Sequence, residues 1–547
     1  MPSILKRGAA VAAWDRTGLS LCVLATAIVT LPVWFARFAP LHDFPFHVAR
    51  MFILNDLMHG GAFTRFYEVN SFFLPNVGMD LVILALGQVI SVEMACRIFI
   101  VLMIFLMISG ANFLHRTMFQ TSGLAVPIAA LLAYNSIFTL GFVNYLMGIG
   151  LVLWGVGIFI RVQSYSLAAR LALGLLIGLV LVFTHLAAFG VYAIIVAGLE
   201  LQEALPMLRT APSVAVTRLI WSAMPLVVII GLFFLVSPTA GASTDWAAAG
   251  HVDFSMASVV SYLRSKPWML RRFLEGVEDP TLDQVSIVLA VVIVATLFAV
   301  TKVRIARQAA LALALLCLAF VLAPSETFSA MYLNMRLPIA IAFVAAGCVY
   351  FATGTSRTQV LLVVALLGIV ALRSAVVTRD WIGYDAVERQ FIDAYACLSR
   401  GSVLFVARPP IIGLWSGYWR PPIKHIASLA TATDGVFVPQ TWADPAQQPI
   451  RVRRDFDDVY TFQSPNPIAI ADVAALHAAI RDIRALMQHH GAGPVYLMLL
   501  EPGPLDHPSV NEAPRIVDSD LFSIYQLDPG AAGTPPARAC PADASRR

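Results

Sequence analysis

The chain has 547 residues, of which 59% are hydrophobic and 13% are charged, and its formal net charge is +4. A soluble domain normally carries roughly a quarter charged residues, so this composition excludes an ordinary water-soluble protein and indicates that lipid covers much of the surface. Basic residues are not clustered with aromatic residues anywhere in the chain, which argues against nucleic acid as a partner.

The N-terminal residues 1–18 are basic, and an apolar run follows them at residues 19–39. Lys6, Arg7 and Arg16 precede this run. Its length of about twenty residues is enough to cross a bilayer as a helix and exceeds the apolar core of a cleavable signal. We therefore expect residues 1–18 in the cytoplasm and the first membrane span directly after them.

Apolar runs of spanning length recur as far as residue 377 and predict about eleven membrane-spanning helices. After the first, they lie at about residues 92–114, 124–140, 144–160, 171–190, 188–203, 217–236, 282–301, 308–324, 336–353 and 358–377. The fifth and sixth runs abut near Phe189 and Gly190. The predicted fold class is an α-helical polytopic membrane protein whose membrane domain covers residues 19–377.

The distribution of Lys and Arg predicts the orientation. Counted from a cytoplasmic N-terminus, the N-terminal segment and the inner loops carry twelve Lys and Arg residues, whereas the outer turns near residues 135–144 and 185–189 carry none. Lys and Arg collect in cytoplasmic loops. With an odd number of spans, the C-terminal region is extracytoplasmic, in a multi-pass protein of the plasma (inner) membrane.

One apolar stretch, Leu81–Ile90, is too short to span a membrane. We interpret it as a juxtamembrane helix in an outer loop that covers residues 40–91. The alternative is a true span, which would reverse the orientation of every later loop.

The composition becomes more polar from about residue 380. Residues 378–528 predict a small extracytoplasmic α/β domain, and the Pro-, Ala- and Gly-rich residues 529–547 predict a disordered tail. The predicted elements are an amphipathic helix at Trp381–Ser399, strands at Val403–Val406, Val495–Leu500 and Phe522–Leu527, and a helix at residues 469–488. Cys397 and Cys540 would pair if this domain faces an oxidising compartment, and otherwise stay free.

The densest polar sequence follows the first span directly. It contains His42, Asp43, His47 and Arg50. Asp43 precedes Pro45, an arrangement typical of a helix N-cap with proline in the first turn, and His47 and Arg50 follow at helical spacing. Two interpretations stay open: Asp43 only caps a helix, or the four polar residues form a site at the membrane surface.

Other candidate residues lie in the predicted outer segments. Glu68 and Asp80 add carboxylates to the first outer loop. Arg336, at the outer start of the tenth span, is suited to bind a lipid phosphate through its planar guanidinium, or anchors the helix with its stem in lipid. His185 and Asn144 also reach the outer face, where helix packing is the alternative role.

These features resemble the GT-C superfamily of membrane glycosyltransferases, which includes protein O-mannosyltransferases and lipid A aminoarabinose transferases. In that family an acidic residue opens the first outer loop, as Asp43 does here. Juxtamembrane helices follow, as Leu81–Ile90 would, and a later outer segment has an Arg, an aromatic residue and a Pro. Arg336 and Pro338 are similar to that segment, although Leu337 stands where an aromatic residue is usual.

The resemblance implies an inverting transfer of a sugar from a polyprenyl-phosphate donor to a cell-envelope acceptor, which is a lipid, a glycan or a protein. Asp43 would be the general base, and Arg336 with Arg50 or His47 would stabilise the departing phosphate. The remaining candidate substrate-binding residues are His42, Glu68, Asp80, His185 and Asn144. Many members carry a second acidic residue in the second outer loop, where this chain has only Asn135 and Asn144. No residue is therefore predicted as a metal ligand, and dependence on a divalent metal stays open.

Two other classes of function compete with an enzyme. If the protein were a transporter or lipid flippase, we would expect repeated halves and polar residues near the membrane midplane. The sequence shows no repeat and few such polar residues. A non-catalytic membrane scaffold predicts that Asp43 is replaceable without consequence.

Overall fold

The computed structural model describes residues 16–242, 256–272, 280–323, 326–327, 330–409, 423–491, 493–500 and 513–528. The chain divides into two compact units. The helical unit comprises the described parts of Met1–Trp34, Phe73–Met79 and Ile98–Arg379. The sheet unit comprises the described parts of Phe35–Phe72, Asp80–Arg97 and Asp380–Arg547.

The described part of the helical unit is mostly α-helix. Its helices are Arg16–Val29, Val92–Phe119 (from Ile98), Ala125–Leu131, Ser136–Thr139, Val143–Arg161, Leu167–Thr184, Leu186–Thr210, Pro212–Val236, Pro238–Ala242, Met256–Arg272, Pro280–Val300, Ala310–Leu322, Leu333–Cys348 and Ser356–Tyr395 (to Arg379). Two antiparallel strand pairs join them: Lys302–Ile305 with Val349–Ala352, and Glu326–Thr327 with Ala330–Met331.

Six helices in the described residues are long and apolar enough to cross a membrane, namely Val92–Phe119, Val143–Ser164 (with its final 3-10 turn), Leu167–Thr184, Leu186–Thr210, Pro212–Val236 and Ser356–Tyr395. Shorter apolar helices coincide with further predicted spans: Arg16–Val29, Ile287–Ala299, Arg307–Leu322 and Leu333–Cys348. The predicted class of polytopic helical membrane protein is confirmed, whereas the count of about eleven spans is not.

The third predicted span, residues 124–140, is not one helix. Its helix ends at Leu131, and Asn135 begins a separate turn. The side-chain amide of Asn135 donates to two carbonyls of the break, and Arg373 donates to Leu131 O at 3.0 Å and to Tyr134 O at 3.4 Å. Backbone carbonyls within a membrane must be satisfied inside the protein. These two side chains replace the missing helical hydrogen bonds and permit the break.

The boundary between the fifth and sixth predicted spans was placed incorrectly. The helices Leu167–Thr184 and Leu186–Thr210 meet at His185, not at Phe189 and Gly190. His185 has an extended backbone, and its Nδ1 accepts a hydrogen bond from Ala187 N at 3.1 Å. A histidine side chain thus caps the N-terminus of the second helix, whereas the residues preferred at this position are Ser, Thr, Asn and Asp.

The last predicted span and the amphipathic helix after it form one continuous helix, Ser356–Tyr395. The stretch interpreted as a juxtamembrane helix, Leu81–Ile90, lies mostly within a short helix, Gly78–Leu86. At 9 residues it is well below the length of about twenty that a span requires.

The sheet unit contains a five-stranded sheet in the order Arg515–Asp518, Phe522–Asp528, Val495–Leu500, Val403–Arg408 and Ile468–Ala469. The central strands Val403–Arg408 and Val495–Leu500 are parallel and wholly buried, as their apolar sequences require. The three predicted strands are confirmed, and the predicted helix at residues 469–488 is Val473–Met487. Shorter helices of this unit include Leu429–Asp434 and Asp457–Gln463.

Residues 40–72 and 80–91 of the first outer loop belong to the same unit as the C-terminal sheet, although the predicted domains separated them, and residues 73–79 belong to the helical unit. Strand Tyr67–Val69 pairs antiparallel with Ile450–Val452, and the Phe66 ring stacks on Phe437 with centroids 4.7 Å apart. Cys397 is disulfide-bonded, and its suggested partner Cys540 lies outside the described residues.

Candidate functional site

Asp43 stands at the N-cap position of helix Phe44–Met58, as the sequence predicts, with Pro45 in the first turn. Its side chain, however, makes no capping hydrogen bond. The backbone angles of Asp43 (φ −91°, ψ −3°) are helical, whereas a capping residue usually has an extended backbone that aims its side chain at the first turn. The contacts of the Asp43 carboxylate therefore lie outside the cap of its own helix.

The Asp43 carboxylate faces His425, with Oδ1 4.0 Å from Nε2. The His425 ring packs on Phe46, with ring centroids 4.0 Å apart. Gln440 Nε2 donates to Lys424 O at 2.9 Å and contacts His425 Nδ1 at 3.2 Å. Because a carbonyl only accepts, the amide nitrogen of Gln440 must face this side, so His425 Nδ1 accepts. The proton of the neutral imidazole is then on Nε2, the atom that faces Asp43.

The residues around His425 keep it neutral. Burial lowers its pKa well below the ordinary value, and the charges of Lys424, His42 and Arg408 lower it further. Burial also lowers the pKa of Lys424, which the carboxylate of Asp43 opposes. Partly buried Asp43 and buried His42 thus lie next to buried residues of the C-terminal region.

Arg50, Asp80 and His47 form a second group within the sheet unit. Arg50 Nε donates to Asp80 Oδ1 at 2.6 Å, and Nη2 donates to Oδ2 at 3.2 Å and to His47 Nδ1 at 3.0 Å. The side chains of Arg50 and Asp80 are 1% and 0% exposed. Burial raises the pKa of the Asp80 carboxyl, and the guanidinium of Arg50 opposes this. In this structure Arg50 and Asp80 bind each other, which supports a structural role.

Glu68 is placed by sheet pairing. It lies opposite Arg451 in the two-stranded sheet, and their side chains form an ion pair of 2.8 Å at the partly exposed edge. Opposite charges directly across an antiparallel pair stabilise the register. This contact accounts for Glu68 without a substrate.

Arg336 and His185 come together inside the helical unit. Arg336 Nη1 lies 3.1 Å from His185 Nε2, and the guanidinium carbon lies 4.4 Å from the centre of the Phe142 ring. Tyr145 OH donates to Arg336 O at 2.8 Å, in the first turn of helix Leu333–Cys348. Arg336 is 5% exposed, so its stem is enclosed by protein and does not lie in lipid as an interface anchor would.

Asn144 holds the segment that leads into helix Gly78–Leu86. Its Oδ1 accepts from Met79 N at 2.7 Å, and its Nδ2 donates to Asn76 O at 2.8 Å. Both ends of the amide are therefore used by backbone, and this geometry supports a positioning role for Asn144.

Across the described ranges, no three His, Cys, Asp or Glu side chains are grouped so that they could hold a metal ion.

The sequence did not indicate Lys424, His425 or Gln440 as site residues. They lie in no recognisable motif, and the contact of His425 with Asp43 joins residues that are 382 positions apart. For Arg336 a signal existed, because Phe142 and Tyr145 stand in the same predicted outer turn as Asn144.

No protein-family profile and no curated protein matches this sequence. Among solved structures, the chain is similar to the crystal structure of ArnT from Cupriavidus metallidurans bound to undecaprenyl phosphate. That likeness has a TM-score of 0.51 and 13% identity, and covers 93% of this chain and 99% of that chain. The apo structure of ArnT from the same organism has a TM-score of 0.48 and 12% identity, covering 93% and 98%. The first of these shows that the two chains share a fold over nearly their whole length.

Proposed function

We propose that this chain is a membrane glycosyltransferase that moves a sugar from a polyprenyl-phosphate donor to a cell-envelope acceptor. The observation that carries the proposal is the Asp43 carboxylate, which stands at a helix N-cap without capping and faces the buried imidazole of His425. The fold shared with ArnT, whose structure holds undecaprenyl phosphate, supports a polyprenyl carrier.

In the proposed reaction Asp43 is the general base. The acceptor hydroxyl gives its proton to the Asp43 carboxylate while its oxygen bonds to the anomeric carbon of the sugar. The bond between that carbon and the phosphate oxygen breaks, and its electron pair leaves with the polyprenyl phosphate. One base and one leaving group on opposite faces of the sugar give inversion.

Arg336 is the residue that we assign to the donor phosphate. A guanidinium has a planar fork of donors that matches phosphate oxygens, and stacking on Phe142 orients that plane. His185 lies against Arg336 in the same enclosed environment. Arg50 is a weaker candidate for this role because its donors already bind Asp80 and His47.

The proposed location is the plasma (inner) membrane, with the N-terminus in the cytoplasm and the sheet unit outside. This follows the distribution of Lys and Arg between the predicted loops. Transfer at the outer face then gives the enzyme access to envelope acceptors.

The transporter and scaffold alternatives differ from the enzyme in one measurable respect, which is chemistry at the sugar. Neither needs a partly buried carboxylate beside a neutral histidine, and a scaffold would tolerate the change of Asp43.

The test uses the purified full-length protein in lipid nanodiscs. Undecaprenyl phosphate carrying a radiolabelled pentose or hexose is incubated with an envelope fraction from cells that lack this protein. Sugar transfer and release of undecaprenyl phosphate are both measured. We expect turnover with at least one donor, and a loss of about 10²-fold or more in Asp43→Asn.

Glu68→Gln is the matched control, because it also removes a carboxylate of the first outer loop but lies in a partly exposed sheet contact. It should keep its turnover. Full activity of Asp43→Asn, or no turnover of any donor by the wild-type protein, would overturn the proposal.

A further inference from the structure

The C-terminal region supplies a residue to the environment of the candidate base. We propose that His425 is a positioning residue for Asp43: the Nε2–H group of His425 orients the Asp43 carboxylate for proton abstraction. This inference rests on the proposed function, because it assigns His425 a role in the reaction of Asp43.

The His425 ring is held in one orientation by two contacts. Gln440 donates to Nδ1 at 3.2 Å, and the face of the ring lies against Phe46 with centroids 4.0 Å apart. Gln440 is itself tied to the neighbouring backbone through Lys424 O at 2.9 Å. The position of the Nε2 proton is therefore determined by the protein, and it faces Asp43.

The present separation of 4.0 Å between Nε2 and Oδ1 is longer than a hydrogen bond by about 1 Å. Catalytic hydrogen bonds are often long before substrate binds and shorten in the reacting complex. A side-chain rotation at Asp43 of this size would bring Oδ1 within hydrogen-bond distance of Nε2–H. We assign the abstraction of the acceptor proton to the other carboxylate oxygen.

His425 is suited to donate but not to act as a competing base. The charged and titratable groups that act on it are Asp43, Lys424, His42 and Arg408. Together with burial, the last three oppose its protonation. A neutral imidazole with Nδ1 occupied has no free lone pair for a proton, so proton abstraction stays with Asp43.

The alternative is that His425 only fills space against Phe46. Three substitutions separate the two roles. His425→Phe keeps the ring stack and removes the donor, His425→Gln places an amide donor at about the position of Nε2, and Gln440→Met removes the contact that holds the ring. All are made in the full-length protein and compared with Asp43→Asn.

The rate at which undecaprenyl phosphate is released from the sugar donor is measured as a function of pH. We expect His425→Phe to lose about tenfold to a hundredfold in kcat, and His425→Gln to stay within about threefold of wild type. Gln440→Met should fall between them. In His425→Phe the acid side of the pH profile should move to higher pH, because a carboxylate that has lost a donor keeps its proton to higher pH.

Thermal unfolding in the same nanodiscs checks that each variant is folded. If His425→Phe does not fold, the comparison of His425→Gln with Gln440→Met decides between a positioning role and a space-filling role for His425. Two results would overturn the positioning role while Asp43→Asn stays inactive. The first is that the folded variants have equal rates and equal pH profiles, and the second is that His425→Gln is as impaired as His425→Phe. Failure of the proposed function is distinct: there Asp43→Asn itself is fully active, or the wild-type protein turns over no donor.

Discussion

Arg50 and Asp80 form a buried bidentate ion pair, in which Nε and Nη2 of the guanidinium donate to the two carboxylate oxygens at 2.6 and 3.2 Å. Removing one partner of such a pair leaves the other charge buried and uncompensated. We expect Arg50→Met to lower the free energy of unfolding by about 3–5 kcal/mol.

The matched control is Arg451→Met, which breaks the partly exposed ion pair with Glu68. Exposed pairs contribute about 0–1 kcal/mol, so this variant should unfold close to wild type. Both are measured by thermal or chemical unfolding of the purified protein. Similar losses in the two variants would contradict the structural role assigned to Arg50.

Asn144 offers a test of the contact that holds the start of helix Gly78–Leu86. Asn144→Leu removes the acceptor of Met79 N and the donor to Asn76 O together, and each buried group left unsatisfied costs about 1–3 kcal/mol. The free energy of unfolding of the purified protein should therefore be lower in Asn144→Leu than in wild type; a leucine variant as stable as wild type would show that the amide is dispensable.

Arg336 should bind undecaprenyl phosphate through its charge and its plane together. We expect Arg336→Met to weaken binding by more than tenfold, and Arg336→Lys to weaken it by about tenfold, since lysine keeps the charge but loses the flat contact with Phe142. Binding to undecaprenol, which lacks the phosphate, is measured alongside and should not change. A lysine variant that binds like wild type would show that charge alone is needed.

We expect His425 to make the free energy of unfolding depend on pH. Its pKa in the folded protein is well below its ordinary value of about 6.5, which the unfolded chain regains. Below pH ~6.5 the unfolded chain takes up a proton that the folded protein does not, so stability falls as the pH falls, by about 1.4 kcal/mol per pH unit. His425→Gln lacks this contribution. The difference in unfolding free energy between the two proteins should shift in favour of His425→Gln from pH 7 to 5, whereas parallel curves would refute it.

The membrane helices were largely predictable, because a span needs about twenty apolar residues wherever it occurs. The break in residues 124–140 was not, since its carbonyls are satisfied by Arg373, 242 residues away from Leu131. Hydropathy reports the solvent around a segment, and it carries no information on a distant side chain that replaces a helical hydrogen bond. The same limit hid the junction at His185, where a histidine caps the next helix.

Part of the candidate site was also predictable. Asp43 was identified by its place between the first apolar run and Pro45, which depends only on neighbouring residues. Arg50 and Asp80 were identified as polar residues of the loop, but their burial against each other follows from tertiary packing. The sequence around His425 does not indicate a site residue, because the role of His425 depends on Asp43, which is distant in the sequence.

The pairing of strand Tyr67–Val69 with Ile450–Val452 has a consequence for biosynthesis. The two strands are separated by about 380 residues of sequence. At a synthesis rate of roughly 5–20 residues per second, the first strand waits on the order of 20–80 s for its partner to leave the ribosome. During that time its edge has no partner from this sheet, and a chain that stops before Ile450 never acquires one. A ribosome that stalls before this point would thus leave a product in which the edge of Tyr67–Val69 is still uncovered when quality control in the cell meets it.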